Sequence, residues 1–82
     1  MGAVLGFPGV DPVDAVIGAR IRRWRDQRGV APADLAAALD LTPEALRRVE
    51  AGRQHLDSAG IEAATRALRL PVWALMSDGP AY

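Results

Sequence analysis

Arginines are concentrated in two short stretches of this sequence. Five lie between Arg20 and Arg28, where Asp26 is the single acid, and three lie between Arg47 and Arg53, where Glu50 is the single acid. A guanidinium group binds phosphate oxygens and can donate two parallel hydrogen bonds to O6 and N7 of guanine. The clusters therefore indicate one basic face suited to nucleic acid, although 10 basic and 10 acidic residues give the chain a net charge of zero.

Side chains suited to catalysis or metal binding are scarce. The chain has no cysteine, which excludes a disulfide framework, a thiolate nucleophile and a cysteine-ligated zinc site. His55 is the single histidine, and it has no clustered carboxylates at metal-ligand spacing. Ser58 and Ser77 offer no convincing partner for it as nucleophile and base. We therefore expect no catalytic residue, no metal site and no cofactor.

The second arginine cluster closes a segment, residues 30–53, that has helical periodicity on both sides of a tight turn. Its apolar positions recur at helical spacing, three before the turn and two after it: Leu35, Ala36 and Leu39, then Leu46 and Val49. The intervening run Asp40-Leu41-Thr42-Pro43 supplies the chain reversal. This is a helix-turn-helix pattern, and it points to DNA.

Start and stop signals predict five helices along the chain. Asp11 is the expected N-cap of the first helix and Gly29 its end, Thr42 caps the third helix, and Asp57 or Ser58 begins the fourth. The second helix begins near position 32, and residues 72–76 form the fifth. The predicted inward-facing stripes are Val13, Val16, Ile17, Ile21 and Trp24 in the first helix, and Ile61, Ala64, Thr65 and Leu68 in the fourth. No strand-like alternation occurs, so we predict a compact all-α fold.

The length of 82 residues allows one small domain. We divide the chain into an apolar arm over residues 1–10, a helix-turn-helix domain over residues 11–77 and a tail over residues 78–82. The arm has no basic leader and is interrupted by Gly6, Pro8 and Gly9. We therefore expect neither a signal peptide nor a membrane span, and a cytoplasmic protein.

Several short motifs keep a fixed order and spacing. They are residues 17–25, Leu35-Ala36, Leu46, residues 49–53 and residues 67–70. Together they resemble the phage-repressor (Cro/cI, or XRE-like) helix-turn-helix family over about residues 13–76. The resemblance implies a five-helix, lambda-repressor-like domain that binds double-stranded DNA. It also implies a partly buried ion pair between Arg25 and Glu50 that ties the first helix to the recognition helix.

Two positions depart from the family pattern. Pro32 stands where the family usually has a glutamine that contacts a phosphate, and Asp40 stands where it has a turn glycine. Proline has neither a side-chain donor nor a backbone N–H, so that contact is lost in its usual form. Aspartate tolerates the left-handed conformation of a turn at some cost.

The resemblance places the exposed start of the third helix in the major groove. The residues expected to meet base edges there are Thr42, Pro43, Glu44, Arg47 and Arg48. Arg47 or Arg48 could bind guanine, and either could instead be a solvated surface charge. Glu44 could accept from the N4 amine of cytosine, or it could stabilise the positive end of the helix dipole. Pro43 or Ala45 could contact a thymine methyl group. The contacts with guanine and cytosine predict a half-site that contains G·C pairs.

Phosphate contacts are expected from Arg53, Gln54 and His55, in the loop after the recognition helix, and from Arg22 on the first helix. One helix-turn-helix unit buries too little duplex for strong specific binding, so a homodimer is expected. Its interface would come from Trp73, Leu75, Met76, Pro80 and Tyr82, or from residues 3–7 of the apolar arm. Trp24 is expected in the core, whereas Trp73 fits the core and a dimer contact equally well.

Two functional classes follow from these patterns. The first is a transcriptional regulator, a repressor that binds an inverted-repeat operator as a dimer, with an antitoxin as a special case. The second is a protein-interaction module that keeps this fold and reads DNA weakly or not at all, as the adaptor or partner of a larger regulator. Pro32, Glu44 and the zero net charge favour the second class, whereas the arginine clusters and residues 50–53 favour the first.

Overall fold

The computed structural model describes residues 11–76, which form five α-helices and no strand. The helices are α1 (Pro12–Arg28), α2 (Pro32–Ala38), α3 (Pro43–Glu50), α4 (Ser58–Leu68) and α5 (Trp73–Met76). The all-α architecture and the five-helix order are confirmed. The apolar arm and the C-terminal tail lie outside the described residues.

Side-chain caps fix where three of the helices begin. The carboxylate of Asp11 accepts a hydrogen bond from the backbone N–H of Val13 (2.8 Å), and the Thr42 hydroxyl accepts one from Ala45 (3.0 Å). Asp57, rather than Ser58, caps α4 and accepts from Gly60 (2.8 Å). These bonds satisfy N–H groups that have no partner inside the helix.

A Schellman turn joins α2 to α3. Asp40 has the left-handed conformation expected for it, with φ at 58°. The N–H of Leu41 donates to the carbonyl of Ala36 over 2.8 Å, and the N–H of Asp40 donates to Ala37 over 3.1 Å. These bonds occupy the last carbonyls of α2 and set the direction in which α3 leaves the turn.

The core lies where α1, α3 and α4 meet α2 and α5. Its fully buried large side chains are Ile21, Leu35, Leu46, Val49, Leu68 and Leu75. All four positions predicted to face inward on α4 are buried. Trp24 is half-buried at the edge of the core, with the Arg28 guanidinium 5.4 Å from its ring centroid.

The predicted stripe of α1 is wrong at its N-terminal end. Val13 and Val16 are 62% and 46% exposed, whereas Ile17 and Ile21 are buried. The buried side of α1 is centred on Ile17, Gly18 and Ile21. Val13 and Val16 lie at the edge of that side, where the described part of the chain does not cover them.

Helices α1 and α3 pack backbone against backbone. A Cβ atom at position 18 would overlap the carbonyl oxygen of Val49, so Gly18 permits this contact. Gly52, just after α3, has φ at 79°, and a Cβ there would come within 2.7 Å of the Cα of Ala15. The two glycines therefore let α1 hold α3 at close range.

Candidate nucleic-acid interface

The exposed face of α3 carries the side chains predicted to meet base edges. Thr42, Pro43, Glu44, Arg47 and Arg48 are all exposed, whereas the intervening positions Ala45, Leu46 and Val49 are buried. The predicted thymine contact of Ala45 is wrong. This residue is 7% exposed, because its methyl group lies on the side of α3 that packs into the core.

Arg47 lies between two surface concavities. One, of about 360 Å³, is lined by Arg22 of α1, Pro32 of α2 and Arg47 together with the residues around them. The other, of about 530 Å³, is lined by Glu44, Arg47, Arg48, Ala51 and Arg53. The fold thus brings predicted base-contacting and phosphate-contacting side chains from three elements onto one continuous surface.

Uncompensated positive charge on this surface comes from Arg48, which bonds the neutral side chain of Gln54, and from three further arginines. Among residues 11–76, no carboxylate pairs with Arg22, Arg47 or Arg53. All three side chains are exposed. A guanidinium in this state keeps its donors available for an anionic partner.

Other arginines of the first cluster stabilise the fold instead. Arg20 donates to the carbonyl of Leu75 at 3.0 Å, and Arg28 donates to the carbonyl of Leu68 at 3.0 Å. These bonds satisfy carbonyl groups at the ends of α5 and α4. The basic face is therefore smaller than the sequence suggested.

The Arg25–Glu50 ion pair is present and links α1 to the end of α3. Arg25 Nε donates to one carboxylate oxygen of Glu50 at 2.7 Å, and a terminal nitrogen donates to the other at 3.3 Å. Each side chain is 11% exposed, and Arg25 also donates to the carbonyl of Val30. The hydrogen bond that Arg25 donates to Glu50 raises the pKa of Arg25 above its ordinary value, so the guanidinium stays protonated.

Arg48 and Gln54 are brought together by the loop after α3. Arg48 Nε donates to the side-chain oxygen of Gln54 at 3.1 Å. This bond holds a predicted base-contacting residue beside a predicted phosphate-contacting residue. The amide nitrogen of Gln54 remains a donor.

His55 is held by Asp14 at the start of α1. Its Nδ1 lies 2.9 Å from a carboxylate oxygen of Asp14, and its side chain is 72% exposed. The hydrogen bond with Asp14 raises the pKa of His55, and the negative charge of that carboxylate adds to the effect. Protonated His55 therefore has a carboxylate beside it that offsets its charge toward a phosphate.

The predicted dimer residues have different fates. Trp73 and Met76 are 43% and 55% exposed, so both side chains are accessible. The prediction is wrong for Leu75, because this side chain is fully buried in the core and offers no surface to a second chain. Tyr82 and Pro80 lie outside the described residues.

Sequence reasoning missed the two loop contacts, Arg48–Gln54 and His55–Asp14. Asp14 lies in the first turn of α1, and its contact with a side chain 41 positions away depends on how the loop after α3 folds back on α1. Within residues 11–76, no group of His, Asp and Glu could hold a metal ion. In the same part of the chain, no helix is long and apolar enough to span a membrane.

The turn between α2 and α3, the exposed face of α3 and its anchoring to α1 define a helix-turn-helix protein of the Cro/cI, XRE-like type. The model of the family described as "Helix-turn-helix domain" matches residues 16–74, and the chain belongs to that family. Family membership supports a DNA-binding transcription regulator.

Solved structures with the same fold are known from several bacteria. The clp gene regulator ClgR from Corynebacterium glutamicum is 27% identical, with a TM-score of 0.75 over 80% of this chain and 86% of that one. The restriction-modification controller protein C.AhdI from Aeromonas hydrophila is 24% identical, with a TM-score of 0.70 over 76% of this chain and 94% of that one. A hypothetical transcription factor from Neisseria, NHTF, is 24% identical, with a TM-score of 0.71 over 89% and 84% of the two chains. No curated protein matches the sequence.

Proposed function

We propose that this protein is a sequence-specific, double-stranded DNA-binding repressor that places α3 in the major groove. The observation that carries the proposal is the surface around Arg47, where arginines from α1, α3 and the following loop lie on one side of the molecule, without a carboxylate partner among residues 11–76. An α-helix fits the width of the major groove, and the N-terminal residues of a recognition helix contact base edges.

Base reading is assigned to the exposed start of α3. Arg47 donates to O6 and N7 of guanine, because its guanidinium has no carboxylate partner within residues 11–76. Thr42 and Pro43 lie on the same exposed face and offer apolar contact to a thymine methyl group. Glu44 accepts a hydrogen bond from the N4 amine of cytosine. Arg48, which is held by its hydrogen bond to Gln54, contacts a second base edge. The half-site therefore contains G·C pairs.

Phosphate binding is assigned to both sides of α3. Arg53 and Gln54 grip the backbone beyond the end of the helix. Arg22 lines the same concavity as Pro32 and supplies the phosphate contact that proline cannot make. His55 contributes least, because Asp14 offsets its charge.

The protein acts as a homodimer on an inverted repeat. Two recognition helices reach successive major grooves on one DNA face when they are separated by one helical turn, about 34 Å. Exposed Trp73 supplies apolar surface for the interface. Occupation of the operator blocks the promoter.

Selection of duplexes from a random pool by the purified protein, repeated at low and high salt, tests the function. We expect enrichment of an inverted repeat with G·C pairs in each half, and an affinity that falls steeply as salt rises. Enrichment of a sequence without a repeat would refute the dimeric operator, but it would still support sequence-specific DNA binding.

A protein-interaction module is the second candidate. Three arginines, Arg20, Arg25 and Arg28, form hydrogen bonds within the fold. They leave a small basic face on a chain of zero net charge, which favours this candidate. No enrichment at any salt concentration would refute DNA reading and support this candidate. Its partner would then be another protein.

A further inference from the structure

An apolar groove opens on the side of the molecule formed by α1 and α5. It has a volume of about 360 Å³ and is lined by Pro12, Val13, Val16, Ile17, Arg20 and Met76. Three of these side chains, Val13, Val16 and Met76, are large hydrophobic groups with about half or more of their surface exposed. Covering apolar side chains of this kind is favourable in proportion to the area removed from water.

We propose that residues 1–10 fold back and occupy this groove of their own chain. The segment is joined to the groove through Asp11, next to Pro12, which is itself a lining residue. It contains six apolar side chains (Met1, Ala3, Val4, Leu5, Phe7 and Val10) and no charged side chain. Its composition therefore matches that of the groove.

The length of the segment suits the groove. From Val13 to Arg20 the helix rises about 10 Å, at about 1.5 Å per residue. Residues 1–7 can span more than 20 Å when extended, at about 3.3 Å per residue. The proposed arrangement requires the chain to reverse direction before α1, and Pro8 and Gly9 are typical turn residues.

The covalent tether favours the chain's own segment over a second copy. A short linker gives its attached segment an effective concentration of about millimolar, above that of a dilute second chain. The residues 77–82 that follow Met76 include an aspartate and only two apolar side chains, so they match the groove less well. The proposal is independent of DNA binding.

A double-mutant cycle in the full chain tests the proposal. One change is Phe7→Ser in the segment, and the other is Val16→Ser in the groove. We expect each to lower the Tm, and the double variant to lose less than the sum by about 4 °C or more, because both remove the same contact. Val72→Ser, on an exposed valine outside the groove, is the matched control and should add to Phe7→Ser without coupling.

Two results of this cycle would overturn the proposal. Additive changes of Phe7→Ser and Val16→Ser would show that the segment does not lie in the groove. Coupling that weakens on dilution, with a matching change in sedimentation, would show that the groove holds the segment of a second copy.

A nitroxide label on the variant Ala3→Cys gives an independent measurement, since the native chain has no cysteine. The label should broaden the methyl signals of Val13, Val16 and Met76 in its own chain, and unaffected signals would refute the contact.

Discussion

Arg25 and Arg47 carry the same guanidinium group in opposite surroundings. Arg25 is 11% exposed and holds the Glu50 carboxylate with two hydrogen bonds, whereas Arg47 is exposed and has no carboxylate partner within residues 11–76. The first arginine therefore acts on stability and the second on binding. Variants of the two positions separate these roles.

Removing Arg25 is expected to destabilise the fold. Arg25→Ala leaves the Glu50 carboxylate poorly solvated and unpaired, which should lower the free energy of unfolding by about 3 kcal/mol. Urea denaturation measures the loss. The control is Arg22→Ala on the same helix, where an exposed arginine without a carboxylate partner among the described residues should change stability by about 0.5 kcal/mol or less. Equal effects of the two variants would contradict a structural role for the pair.

His55 should titrate above its ordinary pKa of 6.5, because Asp14 stabilises the protonated imidazole. A raised pKa in the folded state means that the pair stabilises the protein below pH 6.5, and that this stabilisation is lost as the pH rises through the folded-state pKa. An NMR titration of the imidazole signals measures the shift. Asp14→Asn should bring the pKa down toward 6.5, and an unchanged value would show that the 2.9 Å contact does not form in solution.

Among the elements, the contact of α1 with α3 matters most for the site. Gly18 allows the two backbones to touch, and Gly18→Ala would force α3 away from α1. We expect a loss of about 3 kcal/mol, in the upper range for overpacking. Gly29→Ala is the matched control, since its Cβ meets no atom within 4 Å and only its φ of 67° is unfavourable, a cost of about 1 kcal/mol. Circular dichroism melting compares the two, and equal losses would argue against the close contact.

Features that depend on neighbouring residues in the sequence were predictable. The caps at Asp11 and Thr42 and the left-handed turn at Asp40 follow from local rules, and the structure contains all three. The periodicity of α4 identified its buried side correctly, because one face of that helix is fully covered. The exposed face of α3 was expected from the family resemblance, and of the residues named there Ala45 is buried instead.

Features that depend on how helices meet were not predictable from the pattern. Val13 and Val16 have helical spacing with the core stripe, but no described element covers them. Leu75 lies in a one-turn helix whose orientation is set by packing, with its carbonyl held by Arg20. The inward use of Arg20 and Arg28 likewise depends on the distant ends of α4 and α5.

At the scale of the whole molecule, the proposed dimer depends on α5. Trp73→Ser removes a large exposed apolar side chain, and we expect it to shift sedimentation toward the monomer and to weaken binding to an inverted repeat more than to a half-site. Trp73→Phe keeps an aromatic group and is the matched control. An unchanged sedimentation coefficient for Trp73→Ser would place the interface elsewhere.

The central claim is that the surface around Arg47 binds DNA and that Arg47 reads a base. Its most direct test compares Arg47→Ala, Arg53→Ala and Arg66→Ala on the selected duplex, on duplexes with single base changes and across salt concentrations. Arg66 is the control, since it is exposed on α4 and lines neither concavity. We predict that Arg47→Ala loses about 1–3 kcal/mol of discrimination at one base pair, and that Arg53→Ala weakens all duplexes alike and reduces the salt slope by about one. Binding by Arg47→Ala and Arg53→Ala that equals binding by Arg66→Ala would contradict the claim.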